Sequence, residues 1–323
     1  MLHGRKLRIA QVSSRPERAA ARIASYVTDE LVALGHDVTL FANEPSSARA
    51  HTTVPRVLPM HLLHADEFDL VHEHVDELRD PHVRVASLTT VHGRLDRVRG
   101  MQCDTPLVAT SDAQRQSVPL APWIAMVPTG LPLDLHCEGS GGDYLAFVGR
   151  ISPDKRLDRA IAIAEATGRT LCVAARIDGD DGAYFKREIA PLMTKRCVRY
   201  LGELDETERS ELLRGARGLM MPGDSLEPVA MLEAFACGTP VVAYRCAAEL
   251  VDDGVTGFIA DDLDDAIAAV GMLGELPRRA IREQFEARFS ASAMARAYVD
   301  VYRELVAAAP LFEHELRLAA GAL

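Results

Sequence analysis

Short runs of β-branched and apolar residues alternate with helical stretches along this chain, and the alternation runs through twice. Strand patterns fall at residues 7–12, 37–41, 68–72, 84–91, 107–110 and 123–127, with a helical pattern at 19–34. Gly35 stands where a helix C-terminus wants a residue that tolerates positive φ. After residues 137–143, rich in Gly and polar side chains, the alternation restarts. Strands are expected at 144–148, 170–175, 198–201, 218–221 and 240–244, and helices at 156–167, 184–193, 206–214 and 229–237. Strands separated by helices imply βαβ units and parallel sheets. The expectation is therefore two doubly wound α/β domains joined by a linker at 137–143, binding a ligand in the cleft at the carboxyl ends of their strands.

Residues 278–305 read as one long helical pattern, with Phe285, Phe289, Met294, Tyr298 and Tyr302 forming an apolar stripe. Such a stripe packs either back across the first domain or onto its own. The expected division is 1–137, 138–285 and a helical segment 286–323.

Composition narrows the function. A net charge of -11 over 323 residues opposes a nucleic acid partner. The six cysteines, at 103, 137, 172, 197, 237 and 246, form no CxxC pair, which argues against a zinc site or a disulfide scaffold. Neither a signal core nor an apolar run near the ~20 residues a bilayer needs is present, so a cytoplasmic protein without membrane insertion is expected.

Three places attract attention as chemistry. In Gly149-Arg150-Ile151-Ser152-Pro153-Asp154-Lys155, Gly149 permits a tight exit from a strand, and Ser152 or Asp154 is placed to cap the next helix. Arg150 and Lys155 then sit beside a helix N-terminus, a combination that attracts anions; two solvated surface charges are the alternative. Glu227 precedes Pro228 at a helix start, and Glu233 lies further along among Leu232, Ala234 and Phe235. A carboxylate in such company needs donors, for which sugar or ribose hydroxyls serve, unless Glu233 is simply an exposed helix residue. His92, before Gly93, ends a strand and points toward the expected cleft. His72 and His74 share one side of another strand; they are polar strand-end residues, or two metal ligands lacking an evident third. The glycines at 139, 141 and 142 precede a strand, whereas a dinucleotide loop follows one, which disfavours a nicotinamide or flavin enzyme.

Together these segments resemble the family 4 retaining glycosyltransferases of the GT-B fold. The resemblance is carried by Phe147-Val148-Gly149-Arg150-Ile151-Ser152-Pro153-Asp154-Lys155, Tyr200-Leu201-Gly202-Glu203, Glu227-Pro228, Leu232-Glu233-Ala234-Phe235-Ala236-Cys237-Gly238-Thr239-Pro240 and Asp253-Gly254-Val255-Thr256-Gly257-Phe258. In the N-terminal half, Glu30-Leu31-Val32-Ala33-Leu34-Gly35-His36-Asp37-Val38 and Thr89-Thr90-Val91-His92-Gly93-Arg94 look similar. The resemblance implies a transferase that moves a sugar from a nucleotide-diphosphate donor, a uridine diphosphate sugar by family habit, with retention of configuration.

By the same resemblance, Gly149, Arg150 and Lys155 belong to the donor diphosphate, Glu233 to the ribose, Glu227 to the donor sugar and His92 to the sugar hydroxyls. The catalytic set so implied is His92, Arg150, Lys155 and Glu227. It implies no metal or other cofactor, and Asp178-Gly179-Asp180 is not read as a metal motif. Two departures stand out. The family spaces its paired glutamates by seven residues, whereas five separate Glu227 from Glu233, and Ser225 holds the seven-residue spacing. Where the family often has a glycine pair after the first strand, this chain reads Arg18-Ala19-Ala20-Ala21-Arg22. They leave open an unusual donor or acceptor, a catalytically silent nucleotide-binding protein, or a sugar-nucleotide epimerase. Arg94, Arg97 and Arg99 hint at a small anionic acceptor or are plain surface charge, and oligomeric state is not legible.

Overall fold

The computed structural model describes residues 5–13, 19–42, 52–55, 67–75, 86–92, 105–224 and 228–320. The chain forms two compact units, one from Met1–Pro132 with Ala291–Leu323, the other from Leu133–Ser290.

The first unit is built on strands β1 (Arg8–Ser13), β2 (Asp37–Ala42), β3 (Thr52–Pro55), β4 (Leu70–Val75), β5 (Ser87–Val91), β6 (Leu107–Ala109) and β7 (Trp123–Met126). They lie in the order β3-β2-β1-β4-β5-β6-β7, and every pairing is parallel. Helices α1 (Ala19–Ala33) and α2 (Asp112–Ser117) belong to the same unit. Gly35 does end the first helix in the left-handed region, at φ +89°. Because successive strand residues point to opposite faces, β1 and β4 divide their side chains sharply. Ala10, Val12 and Val71 pack with Phe41 and Phe68 on one face. Gln11, His72 and His74 occupy the other, and all three are buried.

That polar face is why the strand at 68–72 runs on to Val75: the histidines terminate nothing, because buried partners receive them. The partners come from the chain's far end. Residues 278–305 are not one helix but two, α8 (Arg278–Arg288) and α9 (Ala291–Ala320), since Phe289 leaves the helical region and Ala291 N–H turns to the Leu131 carbonyl at 2.8 Å. The stripe therefore splits. Phe285 and Phe289 are buried in the second unit, with Phe289 stacked on Phe235, whereas Met294, Tyr298 and Tyr302 are buried in the first.

The second unit repeats the architecture with β8 (Leu145–Arg150), β9 (Leu171–Arg176), β10 (Val198–Gly202), β11 (Gly218–Met221), β12 (Val241–Tyr244) and β13 (Gly257–Ala260). Their order is β10-β9-β8-β11-β12-β13, again all parallel. Helices α3 (Leu157–Ala166), α5 (Glu206–Gly215), α6 (Pro228–Ala236), α7 (Leu263–Met272) and α8 surround the sheet, and a cluster including Phe147, Leu157, Ile161, Val173 and Val242 fills one side. The regular helix expected at 184–193 is replaced by a short turn α4 (Gly182–Tyr184), a wide turn Phe185–Ile189 and a tight turn Leu192–Thr194. Ala190 N–H bonds to the Phe185 carbonyl five residues back, and Pro191 has no N–H with which to continue.

The Gly-rich segment is packed, not loose. A Cβ on Gly139 would lie 2.3 Å from the Arg214 carbonyl oxygen and one on Gly142 2.7 Å from that of Gly215. The division between the units accordingly falls before this segment, at 132/133 instead of 137/138, and at 290/291 instead of 285/286.

Two arginines one helical turn apart on α8 collect backbone carbonyls, four left over by helix ends and two, of Leu133 and His136, outside any helix. Arg278 donates to the Arg214, Ala216 and Cys237 carbonyls, and buried Arg282 to those of Leu133, His136 and Ala236. Arg282→Met keeps much of the apolar stem but strands those acceptors. It is expected to lower unfolding free energy by about 3 kcal/mol in urea titration, and a loss under about 0.5 kcal/mol would show that the carbonyls find other donors.

Candidate functional site

In a doubly wound sheet, ligands approach where strand order reverses. In the second unit that point lies between β8 and β11, so the loops after those two strands matter most. They are joined: Asp224 N–H donates to the Asp154 carbonyl at 2.8 Å. Gly223 also presses so closely that a Cβ there would lie 3.1 Å from Lys155 Cα. Gly149 lies one residue before the end of β8 at φ +150°, with open space where a side chain would stand. Neither Ser152 nor Asp154 caps α3. Ser152 Oγ donates to Asp154 Oδ1 at 2.7 Å, and Arg156, in the left-handed region at φ 51°, stands at the helix start.

The two cations differ in surroundings. Arg150 is enclosed by Asp154 at 3.6 Å, Asp178 at 3.5 Å and Asp181 at 3.4 Å, so its charge is already met within the unit. Burial, offset by Arg150 and reinforced by the neighbouring aspartates, raises the Asp181 carboxyl above its ordinary range. Lys155 lies in the tight turn Pro153–Lys155 with its side chain only 11% exposed and Asp154 at 4.0 Å. These are not two solvated surface charges.

Glu233 is 1% exposed, which excludes the exposed-helix alternative. Its carboxylate takes a two-pronged ion pair from Arg209 on α5, with Nε at 2.8 Å from Oε2 and Nη2 at 3.0 Å from Oε1, and His136 Nε2 lies 3.9 Å from Oε1. A bidentate guanidinium fixes both carboxylate oxygens while leaving lone pairs for further donors. Arg209 carries no motif signal; it was invisible to sequence reasoning because it lies 24 residues from its partner. Gly238 turns the chain out of α6 at φ +67°. Glu227 and Ser225 lie outside the described residues, as do Arg18, Arg94, Arg97 and Arg99.

In the first unit His92 directly follows β5. Its Nε2 is 3.0 Å from His74 Nδ1, and His74 Nε2 is 2.8 Å from Gln11 Oε1. Gln11 Nε2 is 3.1 Å from the Tyr302 hydroxyl, which is 2.7 Å from His72 Nδ1. His72 Nε2 meets Thr90 Oγ1 at 2.8 Å, and Thr90 meets the Tyr298 hydroxyl at 3.0 Å. So His72 and His74 are neither strand-end residues nor a metal pair: they belong to a buried network that α9 completes. Burial drives His72 and His74 well below the usual imidazole range, helped by neighbouring histidine charge, and pushes His92 down to about 4. Among the described residues no group of three or more His, Cys, Asp or Glu is arranged to hold a metal ion, and no helix is long and apolar enough to cross a membrane. The five described cysteines are free thiols.

Two doubly wound units of this kind define the GT-B class. Residues 142–275, all within the second unit, match the family model described as glycosyl transferases group 1. Among curated relatives, D-inositol 3-phosphate glycosyltransferase 2 of Catenulispora acidiphila is 34% identical over 182 residues, which is 49% of this chain and 42% of that protein. Glycogen synthase of Mycobacterium tuberculosis is 29% identical over 201 residues, 55% of this chain and 48% of that protein. The chain thus spans less than half the length of these relatives. Among solved structures, AviGT4, a glycosyltransferase involved in avilamycin A biosynthesis, aligns with a TM-score of 0.74 at 23% identity, covering 93% of this chain and 98% of that one. Anabaena Alr3699/HepE in complex with UDP and glucose aligns at 0.70 and 15% identity, covering 92% and 100%. These likenesses establish the fold.

The histidine network sets a pH dependence. His72, His74 and His92 bind protons less readily folded than unfolded, so the unfolded state gains stability once pH falls below about 6.5. Unfolding free energy should be level above about pH 7 and then decline toward pH 4, by up to about 1.4 kcal/mol per pH unit for each histidine. Urea titrations across that range are the check, and His72→Met should flatten the slope; an equal slope in both proteins would remove His72 as a cause.

Proposed function

We propose that the protein is a retaining glycosyltransferase that moves a sugar from a nucleotide-diphosphate donor to a small acceptor. The observation that carries this reading is the stitched pair of loops at the strand-order reversal of the second unit, within the residues that match the glycosyl transferases group 1 model. Cleaving a glycosyl–phosphate bond builds negative charge on the leaving diphosphate, and a fixed, poorly solvated cation stabilises that charge where it develops. Lys155 has this character, and Gly149 leaves room for a phosphate beside the backbone. On this reading the charge is met by side chains without a metal or other cofactor. Arg150 contributes only after exchanging its aspartates for the diphosphate. Glu233, held by Arg209, accepts from the ribose hydroxyls, Glu227 faces the donor sugar and His92 contacts its hydroxyls.

A uridine diphosphate sugar is the first donor to test, in keeping with the UDP held by the Anabaena structure. The acceptor is a small molecule, with an anionic one favoured by Arg94, Arg97 and Arg99. The reading has no place for nucleic acid or for membrane insertion, and the cytoplasm is the compartment proposed.

Thermal unfolding with uridine, guanosine and adenosine diphosphates in parallel tests the donor class. A ligand at about 100 times its Kd adds about 2.7 kcal/mol to the folded state, and a shift with one base alone names the nucleotide. No shift with any of them would favour a protein that has lost its donor site. With the donor known, Lys155→Ala should lower nucleoside diphosphate release at least about 100-fold. An unchanged rate removes Lys155 from the mechanism, and donor conversion without an acceptor would mark an epimerase. Asp178→Asn, which removes one of the three carboxylates around Arg150 and also uncovers Arg176, should tighten diphosphate binding about threefold by calorimetry; weaker binding would mean that the aspartates orient Arg150 instead of competing for it.

A further inference from the structure

The hydrogen bonds around His92 specify where its proton sits. Gln11 Oε1 only accepts, so the ring nitrogen facing it, His74 Nε2, carries hydrogen. A neutral imidazole holds one ring proton, so His74 Nδ1 has a lone pair and must accept. The atom facing it, 3.0 Å away, is His92 Nε2, which therefore donates.

The Gln11 amide is the element that orients this chain, and the two distances at the Tyr302 hydroxyl favour one of its orientations. With Nε2 toward Tyr302, an amide N–H spans 3.1 Å to the hydroxyl, and that hydroxyl donates across 2.7 Å to His72 Nδ1. Hydroxyl donors make the shorter bonds and amide donors the longer, as found here. The reverse orientation would ask a hydroxyl to span 3.1 Å and an imidazole N–H to fit within 2.7 Å. His72 Nε2–H then donates to Thr90 Oγ1, so the chain remains consistent to its end.

We propose that Gln11 and His74 are positioning residues that hold His92 as its Nε2–H tautomer, leaving Nδ1 to accept a hydrogen bond from a sugar hydroxyl. The low proton affinity that burial imposes on all three histidines keeps them neutral at pH 7, as this arrangement needs. Tyr302 anchors the amide, which gives the last helix a share in the chemistry of a residue 210 positions earlier. The sugar contact rests on the transferase reading above; the position of the proton does not.

The test is imidazole nitrogen NMR on the ¹⁵N-labelled full chain near pH 7, which needs no substrate. The expected result is a proton bonded covalently to His92 Nε2, with a through-hydrogen-bond coupling to His74 Nδ1. A proton on His74 Nδ1, or the absence of coupling between these two nitrogens, overturns the proposal. Gln11→Met should populate both tautomers of His92 and lower turnover for nucleoside diphosphate release about tenfold, with donor KM within about twofold of the parent. If this variant keeps a single wild-type tautomer, or keeps full turnover, Gln11 positions nothing. Should it fail to fold, the parent spectrum alone decides.

Discussion

Tyr298 and Tyr302 reach from α9 into a sheet face that carries Gln11, His72, His74 and Thr90, and this polar contact makes the N-terminal unit a closed structure. A histidine or amide buried without a partner costs a few kcal/mol, so the face cannot be covered by any apolar helix of convenient length. The hydroxyls of Tyr298 and Tyr302, one turn apart on α9, satisfy it. The register of α9 on the sheet is thereby specified to a single turn, and a segment 208 to 291 residues away from its partners becomes part of the first unit. The same bonds that hold the helix also orient His92.

The C-terminal unit solves a different problem, that of carrying charge into an interior. Arg278 and Arg282 spend their donors on backbone carbonyls, Arg209 on Glu233, and Arg150 on three aspartates. Three of the four have structural partners that would be left unsatisfied by movement. Arg150 differs because its carboxylates repel one another, which makes it the cation most ready to change partners. Lys155, fixed by the turn and by Gly223 against its backbone, offers charge that is already placed.

Most of the fold was legible because doubly wound sheets are written locally. β-branched runs, helix-end glycines such as Gly35, and Gly149 at a strand exit each act within a few residues. The failures share a cause. His72 and His74 read as strand ends since a histidine ordinarily prefers water, and only distant tyrosines make its burial tolerable. The stripe from Phe285 to Tyr302 has one helical period, yet it serves two cores, and the break at Phe289 leaves no mark in that period. Residues 184–193 have helical composition, but Pro191 and the wide turn before it win over propensity.

The sequence by itself determined the two α/β layers and the glycine-shaped loop holding Arg150 and Lys155, and it set Glu233 among apolar neighbours on a helix. Those features depend on short-range geometry and on the periodicity of hydrophobic residues. The tertiary structure alone decided what surrounds each cation, that Glu233 is buried and which residue holds it, and which groups meet the ring nitrogens of His74 and His92. Each of these depends on bonds between groups far apart in the chain, whose donors and acceptors are matched only once folding has removed water from around them.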